Sequence, residues 1–446
     1  MTTLPLLPDA DDTHVVAFRN GRPVTRAELL RDVRSIASDL PNTEHVLNLC
    51  KDRYWFAASL LAAVSRRIET YLPNTTAQEY IAGLYETLPG SWCLGDHDPE
   101  REGDIPYKNI SFAARQSNSD GLPAPDVPES QSILTIYTSG STGKQQPHRK
   151  TFRRLRQNAS AEAKIIWDVA GGGCSVVGTV PSQHMYGLES TILLPMFCGG
   201  RICSRIPFFP KDIAEALAEV PAPRLLVTTP FHLRNLLDSQ VDVPPVAAVL
   251  SATAMLPIGL AAEVERRWNA PLVEIYGSTE TGQIAYRRPA RQPDWIPYPG
   301  IRLAQRHGRT TASGGHLEQD YDLNDSVEIT GSGTFHLLGR NSDIVNIAGK
   351  RNSLGYLSHV LAGLPGVQDA LFFLPKRDDA GGVARLAAFV VAQERTSTQI
   401  LSALREHVDP LFLPRPIIFV KSLPRNETGK IPAEDLDRFI SAHYPR

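Results

Sequence analysis

The sequence predicts an α/β protein: a large N-terminal body with mostly parallel, covered sheets, followed by a small α+β C-terminal domain. Three observations predict it. The chain has 446 residues, more than one hydrophobic core ordinarily organises, so at least two domains are expected. Strand-like and helix-like runs alternate with short links through the middle of the chain, the pattern of a parallel sheet covered by crossover helices. From about residue 317 the pattern changes to short β-like pieces and then to a compact mixed unit.

Taken in order, Ala214–Glu219 reads as helix and Arg224–Thr229 as a buried strand. Phe231–Leu237 is helical again, and Ala247–Ser251 is the next strand. Leu260–Trp268 is helical, and Leu272–Tyr276 is a strand. In such sheets ligands gather beyond the carboxyl ends of the strands, so the loops after Ile136, Leu250 and Ile275 are the ones to inspect. Pro- and Gly-rich stretches at 289–300 and 308–316 precede the β-like pieces Ser326–Thr330 and Thr334–Leu338. After Gly339-Arg340 come a helix near 354–363, strands at Ala370–Leu374 and Leu386–Val391, a helix at 397–408 and a strand at Ile417–Val420. That is a small-domain set of elements. The division expected is residues 1–340 and residues 341–446.

Composition narrows the partners. Net charge is −2, so nothing favours nucleic acid. The densest basic cluster, His148-Arg149-Lys150 with Arg153, Arg154 and Arg156, is expected on the solvated face of a helix. The five cysteines are odd in number and dispersed, with no C-x-x-C pair. That argues against disulfides and zinc and for a reducing, cytoplasmic setting. Residues Met1–Asp12 lack a basic start and a long apolar stretch. No apolar run approaches the length of a membrane span.

The most informative segment is Tyr137-Thr138-Ser139-Gly140-Ser141-Thr142-Gly143, which leaves the apolar run Ile133–Ile136. Five of its residues carry a hydroxyl and two are glycine. Glycines let backbone N–H groups approach an anion, and hydroxyls add donors, so a polyphosphate is the natural ligand. It is not a kinase-type P-loop. Thr138 stands where the first glycine belongs, and Gln145 stands where the Mg²⁺-binding hydroxyl belongs.

The segment resembles the phosphate-binding motif of the adenylate-forming superfamily: acyl- and aryl-CoA ligases, peptide-synthetase adenylation domains and luciferases. Further stretches resemble that family in the same order. Tyr276-Gly277-Ser278-Thr279-Glu280-Thr281-Gly282 is similar to its second signature. Asp325 stands where the family shows Thr-Gly-Asp, although only the Asp is retained. Residues 339–351 resemble the hinge segment, with Ser342 in the place of the usual hinge acid and Asp343 next to it. Pro424–Lys430 resembles the final signature. Pro181–Gly187 matches a Pro-x-x-His-x-x-Gly stretch centred on His184.

The resemblance implies roles. Thr138, Ser139, Gly140, Ser141, Thr142 and Gly143 would wrap the β- and γ-phosphates of ATP. The family's Pro-Lys pair after that loop is replaced by Gln145 and Gln146, which leaves open whether Lys144, Lys150 or neither meets pyrophosphate. Thr279 would contact the α-phosphate and Glu280 would hold Mg²⁺, for which a carboxylate is a suitable hard ligand. Tyr276 would stack on adenine, and the loop Ser251–Ala254 would lie on the adenine side. Asp325 and Arg340 would hold the ribose. His184 would wall the acyl pocket and gate the thiol channel, and Gly349 would lie beside the pantetheine arm. Lys430 would be inserted by a mobile lid to bridge the carboxylate and the α-phosphate.

The implied reaction is an acid–thiol ligation. A carboxylic acid and MgATP give acyl-AMP and pyrophosphate, and a pantetheine thiol then releases AMP. No carrier-protein module is visible in the chain, so the thiol belongs to coenzyme A or to the phosphopantetheine of a separate acyl carrier protein. The short N-terminal portion and compact lid favour the carrier protein, with a small aromatic or medium acyl acid as substrate. Free coenzyme A, or a luciferase-like oxygenase, are the alternatives. Residues 1–130 carry no motif that can be placed.

Overall fold

The computed structural model describes residues 2–73, 75–98, 105–111, 124–139, 145–306, 309–331, 333–340, 343–347, 350–375, 385–426, 429 and 431–444. Two large sheets form the body. The first has six strands, and its centre is parallel: 69–72 lies between 45–48 and 132–139, with 92–95 beyond 45–48. Residues 1–130 thus supply most of this sheet, although no motif announces it. The helix Arg53–Ser65 backs it. Asp52 caps that helix by accepting from Tyr54 N and Trp55 N, and every residue from Arg53 to Val64 is buried, all but Arg53, Tyr54 and Ser59 of them apolar. Such all-round hydrophobicity suits a helix buried on every face.

The second sheet has eleven strands. Its middle is a parallel run of 272–278, 248–251, 224–228, 175–178, 201–203 and 15–19. Antiparallel strands extend it on both sides. The predicted alternation is observed, with helices at Pro210–Ala218, Pro230–Asp238 and Ile258–Trp268 between the strands. The strand residues 225–228 and 248–251 are all buried, as expected where helices pack on both faces. Apolar clusters around Val177, Leu226 and Val249 on one face and Val176, Leu225 and Leu250 on the other reflect the period-two alternation of a strand.

The C-terminal portion contains the helix Leu354–Ala362 and a three-stranded sheet of 367–373, 387–392 and 417–419. It has its own apolar core around Leu357, Leu361, Phe372 and Val390. Ion pairing of Arg425 with Asp369, at 2.7 Å, ties the segment after the last strand to this sheet.

One expectation is overturned here. His148, Arg149 and Lys150 do not lie on a helix; they are on the strand Gln145–Thr151, antiparallel to Ser132–Ser139. Arg153, Arg154 and Arg156 do lie on the helix Phe152–Ala170. The cluster is solvated only in part: Arg149 and Arg153 are exposed, Arg149 pairing with Glu69 at 2.9 Å, whereas Lys150 and Arg154 are buried. The segment 140–144 connects these two strands and lies outside the described residues.

Candidate active site

The strand Leu272–Ser278 delivers its carboxyl end into a tight turn, and the chain returns antiparallel as Gly282–Arg288. Close approach forces the residue choices. A Cβ on Gly277 would meet Gly282 O at 2.2 Å, and Gly282 has φ +69° with Glu189 Oε1 2.5 Å from where a Cβ would be. Position 277 therefore demands glycine, and 282 favours it. Inside the turn, Ser278 N donates to Thr281 Oγ1 at 3.1 Å and Thr281 N donates to Ser278 Oγ at 3.2 Å.

This turn lines a small open pocket with Tyr276, Glu280, Asp322, Asn324 and Asp325. The Tyr276 hydroxyl donates to Asp325 Oδ2 at 2.7 Å. Its ring packs against Trp295 and Phe335, with centroids 5.6 and 5.9 Å away. Asp325 opens the strand Asp325–Ile329 and is the register partner of Arg340. The Glu280 carboxylate has His148 Nε2 at 3.8 Å, and its side chain is 29% exposed. Burial holds the His148 imidazole below its ordinary pKa, against the pull of Glu280.

The turn rests on a buried polar floor. Lys150 Nζ donates to the carbonyl oxygens of Thr279 and Glu280, the latter at 2.9 Å. Arg154 also donates to Glu280 O, and His316 Nε2 lies 3.3 Å from Thr281 O. Arg154, Asn158 and Glu162 are spaced by four on the helix Phe152–Ala170 and share its inward face. Glu162 accepts from Ser190 Oγ at 2.6 Å. Burial pushes the Glu162 carboxyl up to about 7. Burial raises Glu189 as well, reinforced by the neighbouring Glu162 charge and opposed by Lys150 and Arg154. Burial and the adjacent Arg154 charge push the Lys150 ammonium down.

Residues 42–304 match the family described as AMP-binding enzyme, and residues 358–430 match the AMP-binding enzyme C-terminal domain. The chain belongs to the AMP-binding enzyme family. The 4-coumarate–CoA ligase of Halorhodospira halophila is 30% identical over 319 residues, 69% of this chain and 76% of that protein. The 4-coumarate–CoA ligase of Rhodobacter capsulatus is 29% identical over 305 residues, 67% of this chain and 74% of that protein. The o-succinylbenzoate CoA synthetase of Bacillus subtilis, solved with the acyl-adenylate OSB-AMP, shares the fold: TM-score 0.78 at 18% identity over 95% of each chain. The protein is an adenylate-forming, AMP-forming acid–thiol ligase.

In this AMP-binding enzyme Tyr276, Thr279, Glu280 and Asp325 come together around the pocket and the turn beside it. Thr138 and Ser139 end their strand; Gly140, Ser141, Thr142 and Gly143 lie outside the described residues, as do Gly349 and Lys430. Gly429, the residue before Lys430, is described. A Cβ on it would lie 3.5 Å from Phe231 Cβ, at the start of the helix that follows the strand Arg224–Thr228. His184 stands at the N-terminus of the short helix Met185–Leu188. Its loop is anchored by Arg53, which donates to Gly178 O and Val180 O at 3.0 and 2.6 Å, and by Gln183 Nε2, which donates to Cys50 O at 2.9 Å. Gly187 is required because a Cβ would meet Pro181 O at 1.9 Å. Thr253, in the predicted adenine-side loop, has φ +80°, a strained conformation for a β-branched residue.

The sequence reading missed Arg154, Asn158, Glu162, Glu189 and His316. Arg154 and Lys150 were visible as charges but not as buried ones. The four-residue spacing of Arg154, Asn158 and Glu162 is the signal that could have found the floor. Among the described residues no group of three or more His, Cys, Asp or Glu could hold a metal ion, and no helix is long and apolar enough to cross a membrane. The five cysteines are free thiols.

Proposed function

We propose that this enzyme activates an aromatic or medium acyl carboxylic acid as its acyl-adenylate and passes the acyl group to the thiol of free coenzyme A, in the cytoplasm. The observation that carries this reading is the convergence of Tyr276, Glu280 and Asp325 on one pocket at the carboxyl end of the parallel sheet. The named activity of the two 4-coumarate–CoA ligases favours coenzyme A over a carrier protein as acceptor, and favours an aromatic acid. Loading of a carrier protein's phosphopantetheine stays as the second reading, on the compact C-terminal portion alone.

The chemistry brings two anions together, so the site must neutralise charge and align the partners. In this reading the segment Thr138–Gly143 embraces the β- and γ-phosphates. Thr279 meets the α-phosphate, Tyr276 stacks on adenine, and Asp325 and Arg340 hold the ribose hydroxyls. The Glu280 carboxylate, partly exposed in the pocket, is a hard oxygen ligand of the kind Mg²⁺ takes. Mg²⁺ bound there supplies charge neutralisation for the departing pyrophosphate. Lys430 bridges the attacking carboxylate and the α-phosphate, and His184 walls the acyl pocket. Residues 1–340 form the body and residues 341–446 a lid hinged near 341–343, with Gly349 beside the pantetheine arm in the second half-reaction.

The test is acid-dependent ATP–pyrophosphate exchange across a panel of cinnamic, benzoic and medium-chain acids. Thioester formation with coenzyme A and with holo-carrier protein follows for each acid that exchanges. Exchange with no acid, or thioester formed on carrier protein alone, would overturn the reading.

A further inference from the structure

We propose that Lys150 is a positioning residue of the adenylation step: from beneath the Thr279–Glu280 turn it holds two successive carbonyl oxygens and so aims the groups above them at the nucleotide. The inference rests on the assignment of Thr279 and Glu280 to the α-phosphate and Mg²⁺, and on the geometry of the floor.

Lys150 belongs to the first sheet and the turn to the second. Its ammonium nevertheless reaches the carbonyl oxygens of both Thr279 and Glu280. Arg154 takes Glu280 O as well, and His316 stands under Thr281 O. Three consecutive carbonyls therefore face the protein interior. The peptide between Thr279 and Glu280 is trans, since the only cis bonds among the described residues precede Pro223 and Pro416. In a trans unit the N–H points opposite to the C=O, so the grip on Thr279 O turns Glu280 N–H away from Lys150. A surface lysine could not do this, because its side chain would be free to reorient. Lys150 has zero exposure. Burying an ammonium is costly unless donors are matched to acceptors, and here the acceptors are the backbone of the site itself. The carboxylates whose charge favours the ammonium are Glu189, Glu280 and Glu318.

The test compares Lys150→Met, which keeps length but has no donor, with Lys150→Arg, which keeps donors, and with Glu280→Gln as a marker of the site. Acid-dependent ATP–pyrophosphate exchange is measured as a function of ATP and Mg²⁺, with thermal midpoint and ATP binding by calorimetry alongside. Misplacement of catalytic groups by an ångström costs about a hundredfold in rate. Lys150→Met is therefore expected to lose about tenfold to a hundredfold in exchange kcat and to need more Mg²⁺ for half-maximal rate. ATP KM should change by less than about threefold, with the thermal midpoint held, and Lys150→Arg should regain most of the rate. If Lys150→Met does not fold, Lys150→Met with Glu189→Gln, which removes both charges, is judged by the same thresholds. Exchange within twofold of the parent overturns the proposal. So does a loss that Lys150→Arg leaves unrepaired and that tracks the thermal midpoint. Wild-type protein that exchanges with no acid, or Glu280→Gln that exchanges normally, sinks the site assignment and this proposal with it. A crippled Glu280→Gln beside an intact Lys150→Met sinks the Lys150 proposal alone.

Discussion

Tyr276→Phe isolates one interaction of the pocket. The hydroxyl donates to Asp325 Oδ2 at 2.7 Å, while the ring is held by Trp295 and Phe335. Removing one oxygen leaves that packing, so the fold should be unaffected. A hydrogen bond to a charged acceptor contributes about 1.5–3 kcal/mol. Tyr276 is half-buried rather than enclosed, so the lower end applies. Every 1.4 kcal/mol is a factor of about ten, which predicts roughly tenfold weaker ATP binding when Asp325 loses its fixed orientation. Calorimetry with ATP and with 2′,3′-dideoxy-ATP tests the cause as well as the size. If Asp325 grips the ribose, the variant weakens ATP by about tenfold and barely changes the dideoxy analogue. Equal weakening of both, or no change in either, would refute the reasoning.

Four further outcomes are expected. Lys430→Ala should abolish acid-dependent pyrophosphate exchange while leaving ATP binding, read by calorimetry, within a fewfold of the parent. Arg287→Met should destabilise the body by about 3–5 kcal/mol in urea unfolding, because it strands Glu274, which Arg287 Nε meets at 2.6 Å inside the protein. Gly282→Ala should lower exchange at least tenfold by forcing its Cβ onto Glu189 Oε1, and it should lower the thermal midpoint too. His232 is neutral because burial holds its imidazole down to about 4, below the ordinary 6.5 of an unfolded chain. Its contribution to stability is therefore full above pH 6.5 and is lost as pH falls from there towards 4. His232→Asn should flatten the urea midpoint over that window by about one proton's worth of slope.

The parallel body was legible because covered strands leave short apolar runs. Arg224–Thr229 and Ala247–Ser251 are read within a residue of Arg224–Thr228 and Ala248–Ser251. The turn at 276–282 and Asp325 were legible for another reason. Close backbone approach admits only glycine at 277, and a φ of +69° favours it at 282, so the turn's constraint is written as residue identity. The floor under the turn was not legible. A lysine and an arginine near a polar loop are ordinarily solvated, and burial of Lys150 depends on a turn some 130 residues later in the chain. Glu162 showed only through its four-residue spacing from Asn158 and Arg154, and Glu189 gave no local sign. The first sheet shows the same limit. The strands 45–48, 69–72 and 92–95 are four residues each, and their register is set by partners far along the chain.

The grip of Lys150 also stitches two architectural halves together. The hairpin that carries the Ser/Thr/Gly segment hangs from the six-stranded sheet, and the acidic turn hangs from the eleven-stranded one. Lys150 is one of the side chains that fasten them where they meet, with Arg53 another. Neither half can be exchanged with that of a cousin as an independent cassette. A transplant of 145–154 lacking the residues 278–282, or the reverse, would join a fastener to a surface that has no place for it, so the two segments must travel as a matched set.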